Sequence, residues 1–124
     1  MSTKIFIFLL LLTCLASCDT TKQYDVYAIN HTSSELQVIY ESGEETQSVK
    51  LAPQERLRII STDFIESDQI RTSAEDCRLV AKDIKAVNTV GKESSLTWCS
   101  PDVAFSVVDI GQGEFTLIYT NEHF

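Results

Sequence analysis

Most of this chain consists of short stretches in which apolar and polar residues alternate, separated by clusters of turn-forming residues. Alternation places the apolar side chains on one face of an extended strand, which is typical of sheets with one buried and one wetted face. About seven or eight such strands at hairpin spacing predict an all-β fold, an antiparallel two-sheet sandwich. The pattern is clearest over 24–29, 36–40, 46–51, 56–60, 105–109 and 114–120.

One stretch, 77–90, fits two kinds of secondary structure. Val80, Ile84 and Val87 have the spacing of a helix face, whereas the same region also fits a strand that turns at 90–93 and returns over 94–98. The hairpin is the preferred interpretation because it brings Cys77 and Cys99 near each other. Symmetric pairing would centre the turn on Asn88 and not on Gly91, so at least one of the cysteines is expected just off a strand.

The first 17 residues have the three-part plan of a secretory leader. A short basic start ending at Lys4 is followed by an unbroken apolar run, 5–12, and then by small residues. This run is too short to cross a bilayer core, which takes about 20 residues. The chain is therefore predicted to be exported and cut.

Leu15, Ala16, Ser17 and Cys18 resemble the lipobox of bacterial lipoproteins. The resemblance implies that lipid such as palmitate is attached at Cys18 and that cleavage removes residues 1–17. The remaining chain would comprise the lipidated cysteine with a polar tether, 18–23, and a sandwich domain, 24–124. The alternative is an ordinary leader that is cut nearby, with Cys18 as a free thiol.

Lipidation predicts a location in the bacterial cell envelope, held to the membrane without a spanning helix. Asp19, directly after the lipidated cysteine, resembles an inner-membrane retention signal in enteric-type bacteria. In Bacteroidota, acidic residues at this place resemble part of a surface-export signal. The outer membrane is the favoured location, and the leaflet stays open.

Besides the lipidated Cys18, the exported chain has two cysteines, Cys77 and Cys99, in a compartment where disulfides are permitted. A bridge between them would close a loop of about 23 residues and stabilise the fold by roughly 3 kcal/mol. Two free thiols are the competing interpretation. A metal pair is a weaker one, because no C-x-x-C spacing exists and only His31 and His123 could assist.

The charge balance excludes one class of partner. The net charge is −8, and loss of Lys4 with the leader would leave −9 on a chain of 107 residues. A chain this acidic has no electrostatic attraction to nucleic acid and is repelled by anionic lipid headgroups.

Catalytic constellations are not evident in the sequence. His31 lies in a turn cluster and His123 is next to the last residue, so both are expected on the surface. No G-x-S-x-G motif is present, and 111–113 is a hairpin turn with no following helix to hold a phosphate. We therefore predict no enzyme activity, no metal and no cofactor.

The stretch 61–76 is the most acidic part of the chain and lacks strand alternation. Long connections of this kind often carry function, so it is a candidate binding loop. The loop lacks the spacing of a calcium-binding loop, and a solvated surface is its simpler interpretation. Its carboxylates belong to Asp63, Glu66, Asp68, Glu75 and Asp76.

The whole exported chain resembles the small, uncharacterised lipoproteins common in Bacteroidota. The residues that carry the resemblance are the lipobox at Cys18, the opening strand running into 30–33, the stretch 51–55 before a strand, and the end of the chain, 119–124. The resemblance implies an immunoglobulin-like sandwich. Trp98 departs from antibody-type domains because it directly precedes Cys99.

Two functions from different classes follow. The first is a lipid-anchored, non-enzymatic module that binds or supports an envelope protein or glycan; an exposed set at either Tyr24 and Val26 or Tyr27 and Ile29 would favour it. The second is a small envelope hydrolase or an enzyme inhibitor that uses the acidic loop.

Overall fold

The chain folds as a two-sheet β-sandwich, as its alternating pattern predicts. A computed structural model of the protein describes residues 21–62, 65–66 and 71–124. The strands are β1 (Thr21–His31), β2 (Leu36–Ser42), β3 (Glu45–Leu51), β4 (Arg56–Ser61), β5 (Ile65–Glu66), β6 (Asp83–Val87), β7 (Ala104–Asp109) and β8 (Gln112–Thr120). One helical turn, α1 (Cys77–Val80), and two 3₁₀ turns, Ala74–Asp76 and Asn121–His123, complete the described part.

The larger sheet has the strand order β4-β1-β8-β7, and β5 pairs with the start of β1. Its pairs are antiparallel except for the central one, because β1 and β8 run parallel from Gln23 opposite Gln112 to His31 opposite Thr120. This parallel pair differs from the purely antiparallel sandwich predicted. Alternation within a strand fixes which face is buried but carries no information about which neighbour it pairs with.

The smaller sheet has the order β3-β2-β6 and is antiparallel throughout. The core between the sheets consists mainly of strand residues that alternation places on one face, joined by residues of α1 and of the segment 94–98. Tyr24, Val26, Ala28, Leu36, Val38, Phe115, Leu117 and Tyr119 are all at most 2% exposed. Gly113 also faces this core, where an added Cβ would lie 2.7 Å from Cε1 of Tyr24 and 2.9 Å from Cε2 of Phe105.

The first strand begins earlier than the predicted boundary at residue 24. Thr21, Lys22 and Gln23 belong to β1 and are not part of a polar tether. Lys22 is 6% exposed, and its ammonium lies 3.1 Å from Oδ2 of Asp76. Because a buried charge needs a partner, Lys22 can be buried only where Asp76, which is far away in sequence, lies beside it.

The ambiguous stretch 77–90 contains both structures that the sequence suggested. It begins with α1 and continues, after Ala81, into β6. The return segment 94–98 is not a strand, in contrast to the preferred hairpin. Only an isolated bridge pairs Val87 with Glu93, and the segment instead inserts Leu96 and Trp98 singly into the core.

Candidate functional site

The predicted site residues fall into different parts of the molecule. Cys18, Asp63 and Asp68 lie outside the described residues, and Glu66 lies in β5. Glu75 is exposed in the 3₁₀ turn Ala74–Asp76, and its backbone N–H donates to Oγ of Ser73. The structure therefore assembles no shared site from the members of the acidic loop that it describes.

Asp76 serves the fold. Oδ2 of Asp76 accepts hydrogen bonds from the Tyr24 hydroxyl and from the Lys22 ammonium. Burial raises the pKa of Tyr24 above its ordinary value, and the adjacent Asp76 carboxylate raises it further. These two hydrogen bonds join the acidic loop to β1. Because Tyr24 and Lys22 already donate to the Asp76 carboxylate, it is not available to a ligand.

The predicted Cys77–Cys99 disulfide is present. It joins the start of α1 to a turn, with the two Cα atoms 5.7 Å apart, and both cysteines lie off the strands. The indole N–H of Trp98 donates to the carbonyl oxygens of Cys77 and Ala81, at 3.2 and 2.9 Å. These contacts are those of a structural staple. A mainly apolar hollow of about 240 Å³ lies beside it, between Glu75 and Val103.

The outer face of the larger sheet carries a cluster of polar and aromatic side chains that alternation leaves outside the core. Tyr24 and Val26 are fully buried, whereas Tyr27 is only half-buried. The guanidinium of Arg56 covers its ring, with Cζ 4.1 Å from the ring centroid. Nη2 of Arg56 also lies 3.2 Å from Oε1 of Glu114. Arg56 thus reaches from β4 across β1 to β8 and fixes the Tyr27 ring between them.

A hollow of about 210 Å³ opens on this face next to the Tyr27 ring. Asp25 and Glu114 are register partners on the parallel strands β1 and β8, so both carboxylates line it. Oδ1 of Asp25 is inaccessible to solvent and has no hydrogen-bond partner among the described residues. This outer-face hollow is formed by Gln23, Asp25, Tyr27, Val108, Gln112, Gly113 and Glu114.

The chemistry of the outer-face hollow suits a cation. Glu114 already shares its charge with Arg56, whereas Asp25 takes part in no ion pair among the described residues. A protonated amine or guanidinium that enters the hollow would meet the carboxylates of Asp25 and Glu114 beside the Tyr27 ring, whose face Arg56 covers. The amides of Gln23 and Gln112 at its edge offer further donors and acceptors.

The two histidines lie at the end of the sandwich remote from the outer-face hollow. His31 is exposed and is the register partner of Thr120, whose backbone N–H donates to Nδ1 of His123 at 3.1 Å. Within 21–62, 65–66 and 71–124, no three His, Cys, Asp or Glu side chains form a group that could hold a metal ion. No helix of the described residues is long and apolar enough to cross a membrane.

The sequence interpretation did not single out Asp25, Arg56 or Glu114. Alternation along β1 does predict that Asp25 and Tyr27 share the face opposite Tyr24. What brings Glu114 and Arg56 beside them is the pairing of β1 with both β8 and β4, and alternation cannot supply that.

No protein-family profile, curated protein or solved structure matches this chain. Its function is therefore inferred from the geometry and charge of the described residues and from the motifs in its sequence.

Proposed function

We propose that this chain is a lipid-anchored, non-enzymatic module of the bacterial cell envelope that binds another envelope component through the outer face of its larger sheet. The observation that carries the proposal is the outer-face hollow, where the register partners Asp25 and Glu114 place two carboxylates beside a Tyr27 ring covered by Arg56. A rigid aromatic surface with a nearby charged group is typical of protein recognition sites.

The chemistry of the hollow favours a basic segment of an envelope protein as the partner. The hollow holds the two carboxylates of Asp25 and Glu114. Among the ion pairs of the described residues, only the one between Arg56 and Glu114 involves either of them. The chain as a whole is strongly acidic, and this charge would draw a basic partner toward it. A neutral glycan would use the Tyr27 ring but would leave Asp25 without a donor of opposite charge.

The hydrolase alternative receives less support from the described part of the acidic loop. Asp76 is held by Lys22 and Tyr24, and Glu75 lies exposed on the surface. Acid–base catalysis needs a carboxyl group that is free to exchange a proton with substrate. An inhibitor that works by surface contact would be one kind of binding module.

The anchor is tested by following the fate of Cys18 in cells. Growth with an alkyne-labelled palmitate should label the wild-type protein, and globomycin should block its cleavage. Cys18→Ser should abolish both the label and membrane retention, while the disulfide variant Cys77→Ala/Cys99→Ala keeps the label. An unlabelled, freely soluble wild-type protein with an unmodified amino terminus would contradict the anchor.

The binding surface is tested by crosslinking the lipidated protein in intact envelopes and measuring which proteins it captures. Asp25→Asn/Glu114→Gln removes both carboxylates of the outer-face hollow and should weaken a purified partner's binding at least about tenfold, or about 1.4 kcal/mol. Glu44→Gln/Glu45→Gln makes the same charge change in the exposed β2–β3 turn and should leave binding nearly unchanged. Equal losses in both variants would show that net charge alone attracts the partner.

A further inference from the structure

The end of β7 and the turn that leads into β8 expose apolar side chains that the core does not use. Val107, Val108 and Ile110 are 63%, 60% and 79% exposed. They account for three of the six large apolar side chains that are exposed among the described residues. We refer to Val107, Val108 and Ile110 as the apolar tip. Single exposed apolar residues are ordinary, but three within four positions at one hairpin mark a contact surface.

The apolar tip lies beside the start of the described chain. The backbone N–H of Gln23 donates to the carbonyl oxygen of Gly111 at 2.7 Å, and Gln23 is the register partner of Gln112. Since β1 and β8 run parallel, the turn before β8 and the residues before β1 are at the same end of the larger sheet. Ile110 therefore lies only a few residues' length from Thr21.

Chain length then limits how far the tip can be from Cys18. Cys18 is three residues before Thr21, so even a fully extended chain separates their Cα atoms by at most about 11 Å. Lipid attached at Cys18 would hold this end of the sheet at the bilayer surface, with the apolar tip at the depth of the headgroups. The position of the apolar tip therefore favours the membrane surface as its binding partner.

We infer that Val107, Val108 and Ile110 enter the interfacial region of the bilayer next to the lipidated Cys18. This inference rests on the lipidation that the proposed function assumes. It gives the anchored domain a defined orientation, because two neighbouring attachments restrict tilting where a single flexible anchor does not. The outer-face hollow then lies directly at the membrane surface, since Val108 belongs both to its lining and to the tip.

The charges near the tip set which membranes it enters. Asp109 is exposed, and its Oδ1 accepts a hydrogen bond from the backbone N–H of Ile110. Asp25 and Glu114 lie nearby on the outer face. All three groups are anionic, so contact should be closest with zwitterionic lipid and weaker where the surface is strongly anionic.

The test measures depth with tryptophan in the full, lipidated protein reconstituted into phosphatidylcholine vesicles with brominated acyl chains. Ile110→Trp should show fluorescence quenching well above that of the wild type, whose Trp98 is only 5% exposed. Val90→Trp is the matched control. Val90 is 84% exposed and belongs to the same turn as Lys92, whose Nζ donates to the carbonyl oxygen of Phe124 at the opposite end of the sandwich.

Mass spectrometry of the amino-terminal peptide separates the two proposals. If Cys18 carries lipid and Ile110→Trp is quenched while Val90→Trp is not, the inference holds. If Cys18 carries lipid and the two variants are quenched equally or not at all, the tip does not contact the bilayer although the anchor stands. Absence of lipid on Cys18 would remove the premise of both. Quenching of Ile110→Trp should also fall when phosphatidylglycerol replaces half of the zwitterionic lipid.

Discussion

Asn30 shows how one buried polar side chain can organise a turn between the two sheets. It is fully buried at the end of β1, and all of its hydrogen-bonding groups have partners. Its Nδ2 donates to the carbonyl oxygens of Ser34 and Leu51, at 2.8 and 2.9 Å. Its Oδ1 accepts from the backbone N–H and the hydroxyl of Thr32. This network ties the end of β1 to the end of β3 in the other sheet.

Asn30→Asp is expected to destabilise the protein by about 3 kcal/mol at pH 7, measured by urea unfolding. The substitution is isosteric but replaces a double donor by a carboxylate that faces two carbonyl oxygens. Those oxygens and the burial raise the pKa of the new carboxyl in the folded state above its unfolded value of about 3.9. The deficit should therefore be smallest below about pH 4 and grow as the pH rises through the folded-state pKa.

Asn88→Asp is the matched control for this prediction. Oδ1 of Asn88 accepts hydrogen bonds from the backbone N–H groups of Val90 and Lys92, and these bonds survive the exchange. Its effect should stay within about 0.5 kcal/mol. Similar losses for the two variants would mean that the buried amide of Asn30 has no special role.

At the scale of elements, the Cys77–Cys99 disulfide holds a region with little regular pairing. Between β6 and β7 the described chain forms an isolated bridge and turns, and Cys99 itself adopts a left-handed backbone conformation with φ of 64°. The disulfide and the Trp98 indole both attach this region to α1. A covalent link replaces the ladder of hydrogen bonds that a hairpin over 94–98 would have supplied.

Cys77→Ala/Cys99→Ala is expected to lower the free energy of unfolding by roughly 3 kcal/mol. The reason is that the disulfide, between cysteines 22 positions apart, restricts the unfolded chain. Thermal or urea unfolding of the oxidised protein, the reduced protein and the variant measures the effect. Reduction of the wild type should reproduce most of the loss, because it removes the same constraint. A variant as stable as the oxidised protein would show that Trp98 and the core hold this region unaided.

Alternation in the sequence predicted most strands and the residues that share a face, because a buried face imposes a period of two on any strand. It grouped Tyr24 with Val26 on one face of β1 and left open whether that face or the opposite one is buried. It left helix and strand open over 77–90, and it predicted neither the parallel pairing of β1 with β8 nor the outer-face hollow. Each of these depends on contacts between residues far apart in the chain, as when Asp76 permits Lys22 to be buried.

At the scale of the whole molecule, stability depends on two buried tyrosines, Tyr24 and Tyr119, keeping their hydroxyl groups protonated. Burial raises the pKa of Tyr119 above its ordinary value, and the negative charge of Asp83 adds to the shift. Burial raises that of Tyr24 as well, with Asp76 contributing. Both lie on the central strands of the larger sheet, Tyr24 near the start of β1 and Tyr119 near the end of β8. Deprotonation of either would place a charge inside the core.

Ionisation of these tyrosines should not affect the free energy of unfolding below about pH 10, the pKa of tyrosine in the unfolded chain. Above that pH it should lower the free energy of unfolding. The unfolded chain then releases protons that the folded chain retains. Tyr119→Phe should reduce the slope of stability against pH in this range, as measured by urea unfolding. At pH 7 it should be nearly neutral or stabilising, because the Tyr119 hydroxyl has no partner among the described residues.

Tyr40→Phe serves as the control for the alkaline transition. Its hydroxyl donates to Oε1 of Gln47 on the surface of the smaller sheet, and the variant retains Tyr24 and Tyr119. The alkaline slope of wild type should therefore persist in it. A slope unchanged in Tyr119→Phe would contradict the role given to the buried hydroxyl.

The side-by-side position of β1 and β8 has a consequence for how the protein is made. The earliest strand of the sandwich finds its central neighbour only in the latest one, so no partial chain can complete the larger sheet. Contacts between such distant segments form slowly, because a long loop must close first. A polypeptide that cannot finish folding while it is still being synthesised stays extended for longer, which would suit the passage through a secretion pore that the proposed export requires.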